Sequence, residues 1–385
     1  MNIGFIAVND KPTVPFSSGG TEVFTATLIS ELVKKGHHIF LFACGGSYVC
    51  GSELIQSTDF PLSKIQENLL KNEKWEMDWF NREIISNMLS LRNIVKAKQY
   101  ENQIDVFHDN TASPVIGATL DLFNKPVVST LHMPITNIYK YNLTSQYVDH
   151  INTHYVAVSR FQQKHFPMAK DYIYNGINLT PYMNLEGNQH QDIAWIGRLD
   201  PSTPKGLDEA IIASKRIGKE LNYVGFVEND AYYNQIILPL LSTTIHKKPQ
   251  FCSLRDKAQF YYAAKATLLP IQCEESFGLT LVESMAAGTP VVAYAKGAIP
   301  EIIVDGQTGF IVNESENDIR GEWITKSYGK DGLCEALERI YSMPDAVYKE
   351  MRKNCIEHVK NNFTALHMAE KYEKLYANLI ENSIR

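Results

Sequence analysis

Short apolar runs alternate with segments of helical period twice along this chain. This double alternation restricts the fold more than any other feature. In the first run "IGFIAV" (3–8) is short and wholly apolar, as a parallel strand buried on both faces must be. A turn-rich loop follows. Then "TEVFTATLISELVKK" repeats apolar residues at helical spacing and stops at Gly36, a natural C′ glycine. "HHIFLFA" (37–43) completes a βαβ unit, right-handed by default. Residues 64–102 predict one or two amphipathic helices, and "DVFHD" (105–109), "PVVSTLH" (126–132) and "YVAVS" (155–159) predict further strands. Composition loosens around Pro181 and Gly187, and the alternation then restarts. "DIAWIGRL" (192–199), "NYVGFV" and "ATLLPI" read as strands, with "LDEAIIASKRIG", "DAYYNQIILPLL" and "RDKAQFYYAAK" as helices between them. A short helix near 279–287, stopped by Gly288, and a strand at 291–295 follow. From Gly329 the chain reads as successive helices. The prediction is an α/β protein of two doubly wound, Rossmann-like domains, 1–179 and 180–362, followed by a C-terminal helix over 363–385.

The length of 385 residues suits two such domains. A formal net charge of −6 speaks against a nucleic-acid partner, which needs a basic surface. The six cysteines are scattered with no C-x-x-C pair, so reduced thiols are expected rather than a disulfide framework or a zinc site. The sequence opens on a strand with no basic region or cleavage site, and no apolar run approaches the roughly 20 residues that span a bilayer. A soluble cytoplasmic protein is the expectation, with peripheral membrane contact left open.

In open parallel sheets, ligands bind beyond the carboxyl ends of strands, so the segments after each strand carry the chemistry. After the first comes Ser17-Ser18-Gly19-Gly20-Thr21-Glu22, directly before a helix. Glycines there admit an anion to backbone N–H groups at a helix N-terminus; equally, the loop is a flexible one with Thr21 or a neighbour as helix cap. It is neither G-x-G-x-x-G nor a Walker A loop. After "DIAWIG" come Arg198 and Lys205-Gly206, a guanidinium and an ammonium suited to a diphosphate, or else two solvated charges. After "ATLLPI" comes "CEESFGLTLVESMAAGTPVVAYAKGAIPEII". It places Glu275 and Glu283 around the turn Phe277-Gly278-Leu279 and opens a helix at Leu279 and Thr280. A carboxylate accepts two hydroxyl donors at once and so fits a vicinal diol; Glu283 also suits the helix dipole alone. His132 and His108 end two apolar runs, where a neutral imidazole can donate to a sugar hydroxyl or serve as an ordinary core residue. Trp75 and Trp79 lie four apart in the long amphipathic stretch, able to stack on a sugar, contact a lipid or pack the helix down. Neither H-E-x-x-H nor D-x-D occurs, so no metal is expected.

Taken together, "GGTEVFTATLISELVKKGHHIFLFA", "AVSRFQQ", "YNGIN", "GRLDPSTPKG", the glutamate segment and "GQTGFIV", in that order, closely resemble the retaining glycosyltransferases of family 4, which have the GT-B fold. The resemblance is nearest to a bacterial branch with G-G-T-E near the N-terminus. It implies two domains facing across a cleft and a nucleotide-diphosphate sugar donor, with uridine favoured. It implies a sugar, lipid-linked, small-molecule or protein acceptor, and neither cofactor nor metal. Arg198 and Lys205 would neutralise the diphosphate and Glu283 would hold the ribose diol. Glu275 and the backbone of Phe277, Gly278 and Leu279 would hold the donor sugar, with Thr280 at the start of the same helix. Gly19 and Gly20 would approach the diphosphate and His132 the donor sugar. Trp75, Trp79 and His108 are the acceptor-side candidates, and helix 363–384 would return to the N-terminal domain. Three departures stand out. Cys273 replaces a bulkier residue, Ser284 an alanine, and the connection over 313–333 is longer than usual. A nucleotide-sugar epimerase of the same fold and a non-catalytic nucleotide-sugar-binding protein are the competing readings; the pyridoxal phosphate lysine context of a phosphorylase is missing.

Overall fold

The computed structural model describes residues 1–17, 19–70, 79–111, 113–132, 153–187, 192–202 and 204–384. The chain divides into two compact units, Met1–Gly176 with Ala365–Arg385, and Ile177–Thr364. Each is built on one sheet whose strand pairings are all parallel.

The first unit holds β1 (Asn2–Ile6), β2 (His38–Cys44), β3 (Ser52–Thr58), β4 (Val106–Asp109), β5 (Val127–Leu131), β6 (Thr153–Ala157) and β7 (Ala169–Tyr172), in the order β3-β2-β1-β4-β5-β6-β7. The central strands are buried almost throughout, which is why they read as apolar runs. Edge strand β3, "SELIQST", has only Leu54 and Ile55 as apolar residues and is invisible to a search for such runs. Helix α1 (Gly20–Lys34) buries Phe24, Leu28, Ile29 and Leu32 against this sheet. The C-terminal helix α2 (Ala365–Ile384) joins the same core through Met368, Ala369, Tyr372 and Tyr376. Its Glu373 carboxylate accepts from His37, 2.8 Å away, and lies 3.0 Å from the Lys35 ammonium.

The second unit holds β8 (Ile193–Leu199), β9 (Leu221–Val227), β10 (Ile245–Lys247), β11 (Ala266–Leu269), β12 (Val291–Tyr294) and β13 (Gly309–Val312), in the order β10-β9-β8-β11-β12-β13. The expected helix "DAYYNQIILPLL" breaks into a helical turn (Asp230–Tyr232), a π turn (Tyr233–Ile237) and a 3-10 turn (Leu238–Leu240). Pro239 explains the break, because its ring lacks an N–H and collides with the carbonyl four residues back.

In both sheets the chain winds outward on one side of its first strand and then returns to the other side. The reversals lie between β1 and β4 and between β8 and β11. Loops leaving such neighbours in opposite directions open a crevice at the carboxyl ends, where open α/β sheets bind ligands. Among the described residues no helix is long and apolar enough to cross a membrane.

Candidate functional site

Arg198 stands near the carboxyl end of β8, and Lys205 in the loop that follows. That loop is fixed by its backbone. The indole N–H of buried Trp195 donates to the Lys205 carbonyl at 3.2 Å, and the Gln272 N–H, from beyond β11, donates to the Pro204 carbonyl at 3.1 Å. Gly206 closes the two loops on each other. Its φ is +73°, and a Cβ there would lie 2.0 Å from the Pro270 carbonyl oxygen. The Lys205 Nζ thereby reaches Glu275 Oε2 at 2.5 Å, with side chains only 19% and 17% exposed. Burial alone would raise the Glu275 carboxyl, but the Lys205 ammonium, with help from Arg198 and the Phe277 amide, outweighs it and holds the group ionised. The Lys205 ammonium is raised for the reciprocal reason, against the pull of burial. Arg198 is half exposed, 3.5 Å from Glu228.

Gly278, at φ +98°, starts helix α3 (Leu279–Ala286) without a side-chain cap, and Gly206, also left-handed, starts α4 (Leu207–Arg216) in the same way. Two helix N-termini carrying partial positive charge thus begin beside the Lys205–Glu275 pair. Phe277 is buried edge-on against Phe363, which fixes the turn before Gly278. Glu283 lies one turn into α3 and is buried, its Oε2 2.5 Å from the ammonium of Lys257 on helix α5 (Leu254–Ala263). Buried Tyr261 and Tyr182 face the same carboxylate; burial first, and then its charge, push both phenols well up. Lys257, Tyr261 and Tyr182 are the partners that sequence reasoning missed. Lys257 and Tyr261 share a helix face by their spacing of four, but nothing in the sequence says that this face meets Glu283.

The reversal in the first sheet carries different groups. Gly19 is the N-cap of α1, again with no side-chain cap, and a Cβ on it would collide with the Glu22 carboxylate at 1.9 Å. That neighbour is the far end of a flexible side chain, which can swing aside, so packing alone does not demand a glycine at 19. Gly20 is the first residue of α1. Asp109, at the end of β4, is fully buried and accepts from Ser129 Oγ and Thr111 Oγ1, both at 2.7 Å; burial still outweighs these bonds and raises its carboxyl. His132, just beyond β5, donates through Nε2 to Asn110 Oδ1 at 2.9 Å and packs against Phe24. Burial holds its imidazole neutral. With Nε2–H engaged, Nδ1 is the acceptor nitrogen, so His132 is equipped to accept from a hydroxyl rather than to donate to one.

His108 is corrected. It is 0% exposed, and both ring nitrogens are taken, Nδ1 by the Tyr376 hydroxyl at 2.5 Å and Nε2 by Thr130 Oγ1 at 2.7 Å. It is a core histidine that ties α2 to the sheet, and it leaves the acceptor-side candidates. Trp75 lies outside the described residues, and Trp79 begins the helix Trp79–Gln99.

A profile described as Glycosyltransferase Family 4 matches residues 18–180, and one described as Glycosyl transferases group 1 matches residues 190–322, well over half of the chain between them. The chain belongs to the group 1 (family 4) glycosyltransferases. Among curated relatives of this family 4 chain, D-inositol 3-phosphate glycosyltransferase of Corynebacterium diphtheriae is 35% identical over 120 residues, 31% of this chain and 24% of that protein. The match thus spans about a quarter of that relative's length. Among solved structures, Anabaena Alr3699/HepE in complex with UDP and glucose aligns at 18% identity with a TM-score of 0.70, covering 98% of this chain and 100% of the other. Sucrose-phosphate synthase from Thermosynechococcus elongatus aligns at 19% identity with a TM-score of 0.71, covering 99% of each chain. The fold of this family 4 chain is GT-B, two α/β domains each on a parallel sheet.

Proposed function

We propose that this chain transfers a sugar from a nucleotide-diphosphate donor to an acceptor hydroxyl, with retention of configuration and without a metal. The observation that carries the reading is the largely enclosed Lys205–Glu275 pair at the β8/β11 reversal, between two helix N-termini without side-chain caps. A departing nucleoside diphosphate gains negative charge as the glycosidic bond breaks. Catalysis is then mainly electrostatic stabilisation and positioning. Lys205 and Arg198 meet that charge, and the first N–H groups of α3 add to it. Glu275, held ionised beside Lys205, accepts from hydroxyls of the donor sugar, and Glu283, paired with Lys257, accepts from the ribose diol. His132 accepts from a sugar hydroxyl through Nδ1. On the front face, the acceptor oxygen bonds to the anomeric carbon as the bond to phosphate breaks, and the acceptor proton passes to the departing phosphate oxygen. A uridine donor is favoured because the Anabaena structures hold UDP and UDP-glucose.

The test is release of nucleoside diphosphate from UDP-, GDP- and ADP-sugars, with and without a mixed pool of sugar, lipid and small-molecule acceptors. Acceptor-stimulated release from one donor is expected. Isomerised donor with no release identifies an epimerase instead. Binding without turnover under any acceptor identifies a sensor.

A further inference from the structure

The long connection after β13 has no role in the reading above, yet it is tied to the loop that carries Glu275. Asn313 closes it. The Asn313 Oδ1 accepts from the Arg320 N–H at 2.9 Å and from the Trp323 indole at 3.0 Å, and its Nδ2 donates to the Gly321 carbonyl at 3.0 Å. The resulting compact loop, 313–321, presents Glu314, Asp318 and Arg320 to the carboxyl ends of the neighbouring strands. The nearly buried ammonium of Lys296, just past β12, sits between Glu314 and Asp318, 2.5 Å from the latter. Arg320 grips two carboxylates. Its Nη2 and Nη1 donate to Glu274 Oε1 and Oε2 at 2.6 and 3.1 Å, and its Nε and Nη2 donate to Asp318 Oδ1 and Oδ2 at 2.5 and 3.2 Å.

Glu274 is the residue before Glu275, and this stretch is also held from the other side. The Gly297 N–H donates to Glu274 Oε2 at 2.7 Å, and the Ala298 N–H donates to the Glu275 carbonyl at 2.8 Å. Gly297 has φ +58°, and a Cβ on it would stand 2.2 Å from the Glu275 carbonyl oxygen. The backbone at 274–275 is therefore clamped between Gly297–Ala298 and the guanidinium of Arg320. A bidentate guanidinium–carboxylate fork fixes orientation as well as distance.

We propose that Arg320 is a positioning residue and that the 313–321 loop is a brace, which aims the Glu275 carboxylate at the donor sugar by fixing Glu274. The inference rests on the reading of Glu275 given above. It separates the two halves of a donor: the brace governs the grip on the sugar, while the diphosphate is held by the helix N-termini and by Lys205, whose loop is anchored through its own backbone by Trp195 and Gln272.

Calorimetric titration of the whole chain with UDP and with UDP-glucose tests this. Arg320→Ala is expected to weaken UDP-glucose by about tenfold, the scale of one lost charge-assisted contact, and to leave UDP within about twofold. Glu274→Gln should behave alike, and the double variant should be no worse than either single one. Arg320→Lys, which keeps the charge but not the fork, should fall between. Equal loss of both probes in Arg320→Ala and Arg320→Lys would mean general damage and overturn the brace, as would unchanged binding of both. A wild-type chain that binds neither probe overturns the donor reading and this inference with it.

Discussion

The two sheets reverse direction in the same way, between β1 and β4 and between β8 and β11, but they charge their reversal points differently. In the second unit a lysine and a glutamate are buried together, and each partner's charge outweighs the cost of burial, so both stay ionised. In the first unit Asp109 and His108 are buried and His132 is partly buried, with hydroxyl, amide and phenol partners, and desolvation prevails: the carboxyl is raised and the imidazoles are lowered, toward the neutral forms. Topology therefore fixes where a crevice can lie, while the partner of each titratable group decides what it can do there. A point of fixed charge suits a phosphate. Neutral, oriented hydrogen-bonding groups suit sugar hydroxyls, which carry no charge to meet.

The largest expected effect comes from removing the charge at the second point. Lys205→Ala should lower kcat in the diphosphate-release assay by about 10²–10³-fold, the range for losing one preorganised donor to developing charge. It also leaves the Glu275 carboxylate buried without its cation, for a stability loss of up to about 3 kcal/mol in denaturant unfolding. The double variant Lys205→Met with Glu275→Gln should recover most of that stability and none of the activity. Unchanged turnover in the folded Lys205→Ala protein would remove the contrast between the two reversal points.

Next in size is a pair of histidine variants that separates packing from ligand contact within the first unit. His108→Ala orphans the hydroxyls of Tyr376 and Thr130 and opens a cavity under α2, for about 2–4 kcal/mol of stability, with activity per folded molecule unchanged. His132→Ala should do the reverse: unfolding within about 1 kcal/mol of wild type, and turnover reduced roughly tenfold to a hundredfold. If His132→Ala proved the more unstable and the more active of the two, the neutral groups of this point would be structural only.

The same contrast explains what could be read in the sequence. Strands buried on both faces write themselves as apolar runs, so β1, β2, β4, β5, β8 and β12 were legible. Edge strands β3 and β10 carry polar residues toward solvent and were not. Lys205 and Glu275 could be named because each lies in the loop that leaves the carboxyl end of a strand of a parallel sheet. His108 could not be told from His132 by that rule: both end an apolar run, and only the arrival of Tyr376, 268 positions later, shows that His108 is enclosed. Partnerships across such distances leave no local trace. Arg320 and Glu274 are 46 positions apart, and Lys257 meets Glu283 from another helix.

The smallest expected effect sharpens the contrast with a carboxylate away from both reversals. Glu335 accepts from the backbone N–H groups of Ser327 and Lys326, at 2.9 and 3.1 Å, and pairs with Arg339 at 2.9 Å. Burial opposes its ionisation, but these partners prevail and hold the carboxyl down to about 2, from an ordinary 4.5. A carboxyl lowered in the folded state adds stability above its unfolded value, and that stability fades as pH falls through the folded value. Glu335→Gln keeps an acceptor for the two N–H groups and removes only the charge, so the loss at pH 7 should be about 1 kcal/mol. The gap between variant and wild type in urea midpoints should stay constant from pH 7 to about 5, narrow below 4.5 and close near 2. A gap that ignored pH would assign the effect to shape instead of charge. Partner charges would then no longer explain why carboxyls in the second unit are lowered while Asp109 in the first is raised.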